Sequence, residues 1–132
     1  MNRPIKFRVW CKVTRHFTDS PYITASGGQL LWLHTGNQVS ISNIDGGDYI
    51  IQQYTGFKDD KEVEIYEGDI VKWTEYQGWE DGRTFEGIYI VQWDDDGKWN
   101  LYDPHANDSL PMGNTKFDNV IGNIFENKEL LK

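Results

Sequence analysis

The chain is poor in the residues that usually declare an activity. There is one cysteine, Cys11, in 132 residues, so no intramolecular disulfide can form. A chain of this length buries roughly two thirds of its unfolded surface and needs no such staple. Cys11 itself is expected to be a small buried or half-buried thiol. The three histidines, His16, His34 and His105, are far apart, and with the lone thiol they give no metal-ligand spacing. No glycine-rich phosphate loop occurs, and no serine sits in a nucleophile elbow. No apolar run approaches the roughly 20 residues that cross a bilayer, and Met1 opens on Asn-Arg-Pro with no signal-like core behind it. These absences point to a cytoplasmic, non-membrane protein, without cofactor and not an enzyme.

Helical periodicity is also scarce. Aromatics make up 14% of the chain, and they fall in short apolar runs divided by Gly, Asp and Asn, which predicts a mainly β fold. In "IKFRVW", Ile5, Phe7 and Val9 alternate with Lys6 and Arg8, the period of a half-buried strand. "QLLWL" and "QVSIS" are strands about a turn at Gly36-Asn37, and "YIIQQYTGF" is another that ends where Gly56 lets the chain turn. In "EIYEGDIVKW", Gly68 stands where a type II turn requires positive φ, and Asp69 follows as a turn residue able to bond a nearby amide. "IYIVQW" and "KWNLY" flank Asp96-Gly97, a two-residue type I′ hairpin signal. Asn127 caps a closing helical turn over Lys128–Leu131. Corner, strand, loop, hairpin and closing strand follow in the order of an SH3-like small barrel. Residues 61–132 would form this barrel, with residues 1–60 as a β-rich N-terminal subdomain packed on it.

Three blocks, "IKFRVW", "QYTGFKD…EIYEGDIVKW" and "VIGNIFEN…ELL", resemble the YopX family of phage and prophage proteins, in the family's order and over nearly the whole chain. The resemblance implies an SH3-type barrel in the C-terminal part and a phage-encoded accessory protein acting in a bacterial host. It supplies no catalytic residues. Lys128 stands where the family often has proline.

The net charge of −8 is unevenly placed. Residues 1–60 hold six Lys/Arg against five Asp/Glu, and residues 61–132 hold seven against sixteen. The acidic half would repel nucleic acid, since phosphate affinity comes from Lys and Arg displacing counterions. "DDDG" at Asp94–Gly97 lacks the alternating oxygen ligands of a calcium loop and suits a turn instead. Trp73 and Trp93 end apolar runs and are expected in the core. Trp79, set among Gly78, Glu80, Asp81 and Gly82, has little to pack on and is the leading contact residue. The candidate partner surface is therefore Trp79, Glu80, Asp81, Asp94, Asp95 and Trp99, with Gly56, Gly68, Asp69, Asp96 and Gly97 as turn-builders. Such a surface suits a basic protein partner. The alternative is nucleic-acid binding by Arg3, Lys6, Arg8, Lys12 and Arg15 beside Trp10 and Phe17. The charge split also suggests a homo-oligomer in which cationic and acidic faces meet.

Overall fold

The computed structural model describes residues 4–18, 22–23, 29–34, 38–43, 47–76, 84–112 and 119–132. Its strands are, in order, β1 (Phe7–Cys11), β2 (His16–Phe17), β3 (Tyr22–Ile23), β4 (Gln29–His34), β5 (Gln38–Asn43), β6 (Tyr49–Lys58), β7 (Glu64–Tyr66), β8 (Asp69–Tyr76), β9 (Thr84–Trp93), β10 (Trp99–Asp103), β11 (Asp108–Pro111) and β12 (Asn119–Asn123). A 3-10 turn at Lys128–Leu131 follows them. Among the described residues the fold is mainly β, as the short apolar runs predict. Two compact units share the chain, Lys6–Gln53 and a larger one built on Tyr54–Lys132. Their boundary falls inside β6, whose first half pairs with β1 and whose second half pairs with β7.

In the smaller unit, β3, β4 and β5 form an antiparallel sheet in which Leu31 lies opposite Ile41. β1 lies between β2 and β6. The alternation expected of "IKFRVW" does not survive. Ile5 and Phe7 are exposed, while Val9, Trp10 and Cys11 are all buried. The reason is β2, which covers the side assigned to solvent. Phe17 meets Trp10 edge to face, with centroids 5.0 Å apart. The Arg8 guanidinium lies 4.5 Å from the centre of the same Phe17 ring, and its Nε donates to Gln52 Oε1 at 2.8 Å. Arg8 is thus engaged within its own unit.

The larger unit is an antiparallel meander, β8 to β11, which β12 extends by returning to pair with β8. Its sheet curls as a half-barrel around Ile65, Val71, Tyr89, Val91, Leu101 and Met112, with Phe57, Trp73, Trp99 and Val120 packed against them. Burying one such aliphatic side chain contributes about 1.5–3 kcal/mol. Tyr66–Asp69 forms the predicted corner. Gly68 has φ of 83° while Glu67 is not left-handed, the signature of a type II turn. Asp69 is buried, and its Oδ2 accepts the Tyr66 N–H at 2.8 Å. Gly56 does not end its strand. With φ of 88° it lies inside β6, where the pairing with β7 shifts register, so it bends the strand.

Two hairpins in this unit share one construction. At Asp94, the Gly97 N–H donates to Asp94 O at 3.1 Å and the Asp94 N–H to Lys98 O at 2.9 Å. The Asp96 N–H also donates to Asp94 Oδ1 at 2.8 Å. Of the turn residues only Gly97 has positive φ, 80°. The turn is therefore type I followed by a left-handed residue, not the two-residue type I′ turn predicted from Asp96-Gly97. Asp94 overrides that preference, because its carboxylate holds the amide two residues on. At Asp59 the pattern recurs: Glu62 N–H to Asp59 O at 3.1 Å and Asp59 N–H to Val63 O at 2.9 Å, with Lys61 N–H to Asp59 Oδ1 at 2.8 Å. Here the left-handed position is Glu62, with φ of 64°.

Asp59 does more than shape its turn. It is only 5% exposed. Oδ1 accepts a second amide, that of Val63, at 2.9 Å. Oδ2 reaches β12 and accepts the Val120 N–H at 2.9 Å. Burial pushes its pKa up, but the amides of Val120, Val63 and Lys61 outweigh burial and hold it below the ordinary carboxylate value.

The C-terminal block also departs from expectation. Asn127 makes no side-chain cap bond. Its Oδ1 accepts the Asn123 N–H at 3.2 Å, and a Cβ on Gly122 would collide with that carboxamide. Leu130 and Leu131 are half-buried.

Asp59→Ala strands three amides and is expected to cost about 2–4 kcal/mol in denaturant melts. Because the folded-state pKa is depressed, this stability is present above the unfolded value near pH 4 and is lost as pH falls through the lower folded value. Denaturation at pH 6 and pH 3 should show a larger loss for wild type than for Asp59→Asn; equal losses would contradict the role. Glu62→Gly relieves a left-handed backbone costing about 1–2 kcal/mol and gives part of it back as chain entropy. Its exposed ion pair with Lys58, at 3.6 Å, contributes little. Melts should show stability unchanged or raised by up to about 1 kcal/mol, whereas a clear loss would refute the turn assignment.

Candidate functional site: an aromatic groove beside an acidic turn

The Trp93–Trp99 pair follows from strand register. The two residues lie opposite each other across the β9–β10 ladder. Trp99 O accepts the Met112 N–H at 3.2 Å, so the polar backbone of Trp99 faces β11. The Trp93–Trp99 pair is then a non-hydrogen-bonded one, the kind that brings side chains closest. The indoles meet edge to face, centroids 4.8 Å apart and planes at 74°.

Both indoles share the face of Val91 and Leu101, which is the core face. The depth expected of Trp93 is wrong, however. It is the last residue of β9, where the core runs out, and 53% of it is exposed. Trp73 is half-buried against the core, its ring 6.0 Å from that of Tyr89. Where the core ends, Phe57, Trp93, Trp99, Pro111 and Met112 line a groove of about 320 Å³ together with Gly97 and Lys98. That volume is near the lower end for small-molecule sites and suits a single large side chain.

The turn beside this groove carries Asp94, Asp95 and Asp96. Asp94 is committed to the fold, since besides the Asp96 amide it accepts Asn100 Nδ2 at 3.2 Å. Asp95 and Asp96 are exposed. Asp94 and Asp95 lie on the turn between β9 and β10, and Trp99 opens β10 just after it. Trp79, Glu80 and Asp81 lie outside the described residues. The sequence reading missed Pro111 and Met112, which the pairing with β10 brings here, and Phe57, which reaches the groove from β6 by packing against the core. It could have found Trp93, because a tryptophan directly before a turn has no strand beyond it to cover it.

Much of the acidity has local work in the backbone. Asp103 Oδ1 accepts the amides of His105 and Ala106 at 2.9 and 3.2 Å. Asp108 Oδ1 accepts the Ser109 amide at 2.8 Å. The last of these blunts an exposed edge. With Met112 bonded to Trp99, the alternation along β11 turns the Ser109 and Pro111 backbones away from β10. The Ser109 N–H is then taken by Asp108, and proline has none. This edge offers no ready donor to an added strand. Among the described residues no three His, Cys, Asp or Glu side chains form a metal-ligand set, and no helix is long and apolar enough to cross a membrane.

The YopX protein family model matches residues 6–132. The chain belongs to the YopX family. Two solved structures share its fold. One is yopX from Bacillus subtilis, with 23% identity and a TM-score of 0.65 over 96% of this chain and 97% of that one. The other is protein EF1440 from Enterococcus faecalis, with 24% identity and a TM-score of 0.60 over 99% and 100%. Among curated proteins none matches the chain in sequence.

Trp93→Ala removes a half-exposed ring at the margin of the core and is expected to leave a folded protein, at a cost of about 1–2 kcal/mol. Circular dichroism and a cooperative melt check this. An unfolded variant would return Trp93 to the core.

Proposed function

We propose that this YopX-family protein is a non-catalytic interaction module, a phage or prophage accessory that binds a basic protein partner in the host cytoplasm. The observation that carries the reading is the exposed Trp93, paired with Trp99 over a largely apolar groove on the hairpin whose turn carries the exposed Asp95 and Asp96. Charge steers a basic partner toward the acidic half, and the aromatic pair supplies the buried contact that charge alone lacks. Attraction through the exposed acids weakens as salt shortens the screening length, about 8 Å at physiological ionic strength.

Two features weigh against nucleic-acid binding by the N-terminal strand. Trp10 is buried beneath Phe17 and unavailable for base stacking, and Arg8 is already stacked on Phe17 and bonded to Gln52. The homo-oligomer suggested by the charge split stays part of the proposal.

Affinity capture from bacterial lysate, with wild type and Trp93→Ala side by side, tests the reading. A basic protein retained by wild type should be lost with the variant and with rising salt. Identical retention by the two would contradict the groove as the interface. Anisotropy at physiological salt should show no tight DNA or RNA binding, and tight binding lost on neutralising Lys6 and Lys12 would favour the alternative.

A further inference from the structure

The groove and its rim have different chemistries, and together they specify an occupant more narrowly than either does alone. Most of the walls are apolar: Phe57, Trp93, Trp99, Pro111 and Met112, with Gly97 and Lys98 completing the lining. Apolar walls alone would favour leucine or phenylalanine. Asp95 and Asp96, on the turn directly before the lining residues Gly97 and Lys98, are exposed and have no side-chain partner among the described residues. Carboxylates alone would attract any cation. One side chain satisfies both by laying an apolar stem along the walls and bringing a cationic head to the rim.

We propose that the groove binds a single arginine side chain of the protein partner, its guanidinium stacked on the Trp93 indole and its N–H groups turned to Asp95 or Asp96. This rests on the interaction-module reading above and names its ligand. Arginine is favoured over lysine for two physical reasons. A planar, weakly hydrated guanidinium stacks on an aromatic face, whereas an ammonium is a compact, strongly hydrated charge. Its fork of donors can also bond a carboxylate while it stays stacked.

The protein already uses this arrangement once. Arg8 lies 4.5 Å from the centre of the Phe17 ring while its Nε donates to a side-chain oxygen of Gln52. In the groove, the larger indole replaces phenyl and a carboxylate replaces the carboxamide, and both changes strengthen the hold on a guanidinium. Lys98, the one charged residue in the lining, opposes a cation there, but it stands as one charge against the three of Asp94, Asp95 and Asp96 on the turn before it. Arg8 does not compete for the groove, being engaged in the smaller unit.

The test titrates the full chain with the peptide Ac-Gly-Ser-Arg-Ser-Gly-NH2 and with versions carrying citrulline, lysine or norleucine instead of arginine. The indole N–H resonances of Trp93 and Trp99 are followed by NMR, assigned through Trp93→Phe and Trp99→Phe. Citrulline keeps the shape and the planar head but removes the charge. The arginine peptide should shift both indole resonances and bind about two- to fivefold more tightly than the citrulline peptide, with lysine between. Asp95→Asn with Asp96→Asn, on the exposed turn, should erase that preference without disturbing the fold. Equal affinity for arginine and citrulline, tighter binding of norleucine, or no shift with any peptide would each overturn the proposal. If lysate capture still depended on Trp93 in those cases, the interaction-module reading would stand and only the arginine assignment would fail. Capture indifferent to Trp93→Ala would remove the reading beneath it.

Discussion

One buried carboxylate ties the larger unit together. Asp59 accepts three backbone amides, two within its own turn and one from Val120, 61 residues on. A buried carboxylate is costly unless its lone pairs are filled, and here they are filled by groups that would themselves be costly to bury unpaired. The bond to Val120 fixes β12 against the β6–β7 turn, and Val120 in turn packs on the core that Phe57 and Trp99 flank. The placement of Phe57, a groove wall just before that turn, follows from the same hairpin. One wall of the groove is thus set by a side chain that does not line it.

The sequence displayed some of this plainly. Gly68 sits at the third position of a type II turn because the chain must reverse between two apolar runs and only glycine takes that backbone without strain. The hairpin at Asp94–Gly97 was visible because it contains glycine, though its type was not. Local preference for Asp-Gly favours a two-residue turn, and the carboxylate of Asp94 outweighs it. The equivalent hairpin at Asp59 was hidden, because its left-handed residue is Glu62 and "DDKE" carries no glycine to mark it. Depth was harder to read than direction. Trp93 was placed on the correct face, yet a run of apolar residues does not say where the core stops. In β1 the alternation of Ile5, Phe7 and Val9 failed because Phe17 covers the other side. Pro111 and Met112 could not have been joined to Trp99 without the register of β11 on β10, nor Phe57 without the packing of β6 on the core.

The acidity of the second half has two sources that composition cannot separate. Asp69, Asp94, Asp103 and Asp108 each hold a backbone amide, so these acids are explained by turns and by the blunted edge of β11. Their charge nevertheless remains on the molecule, and Asp95 and Asp96 add to it beside the groove. A surface built by turn chemistry therefore also carries the field that would draw a basic partner. The YopX fold accounts for the scaffold. The exposed Trp93, the half-buried Trp99 and the carboxylates on the adjoining turn are where we propose that recognition occurs.

The most direct measurement places the photo-crosslinker benzoylphenylalanine in the full chain in bacterial cells, at Trp93 in one variant and at Val13 in another. Val13 is also an exposed apolar residue, 71% accessible, but lies in the smaller unit. The account predicts a covalent adduct to a basic protein from position 93 and none to that protein from position 13. Adducts from position 13 alone would place the interface elsewhere and contradict it.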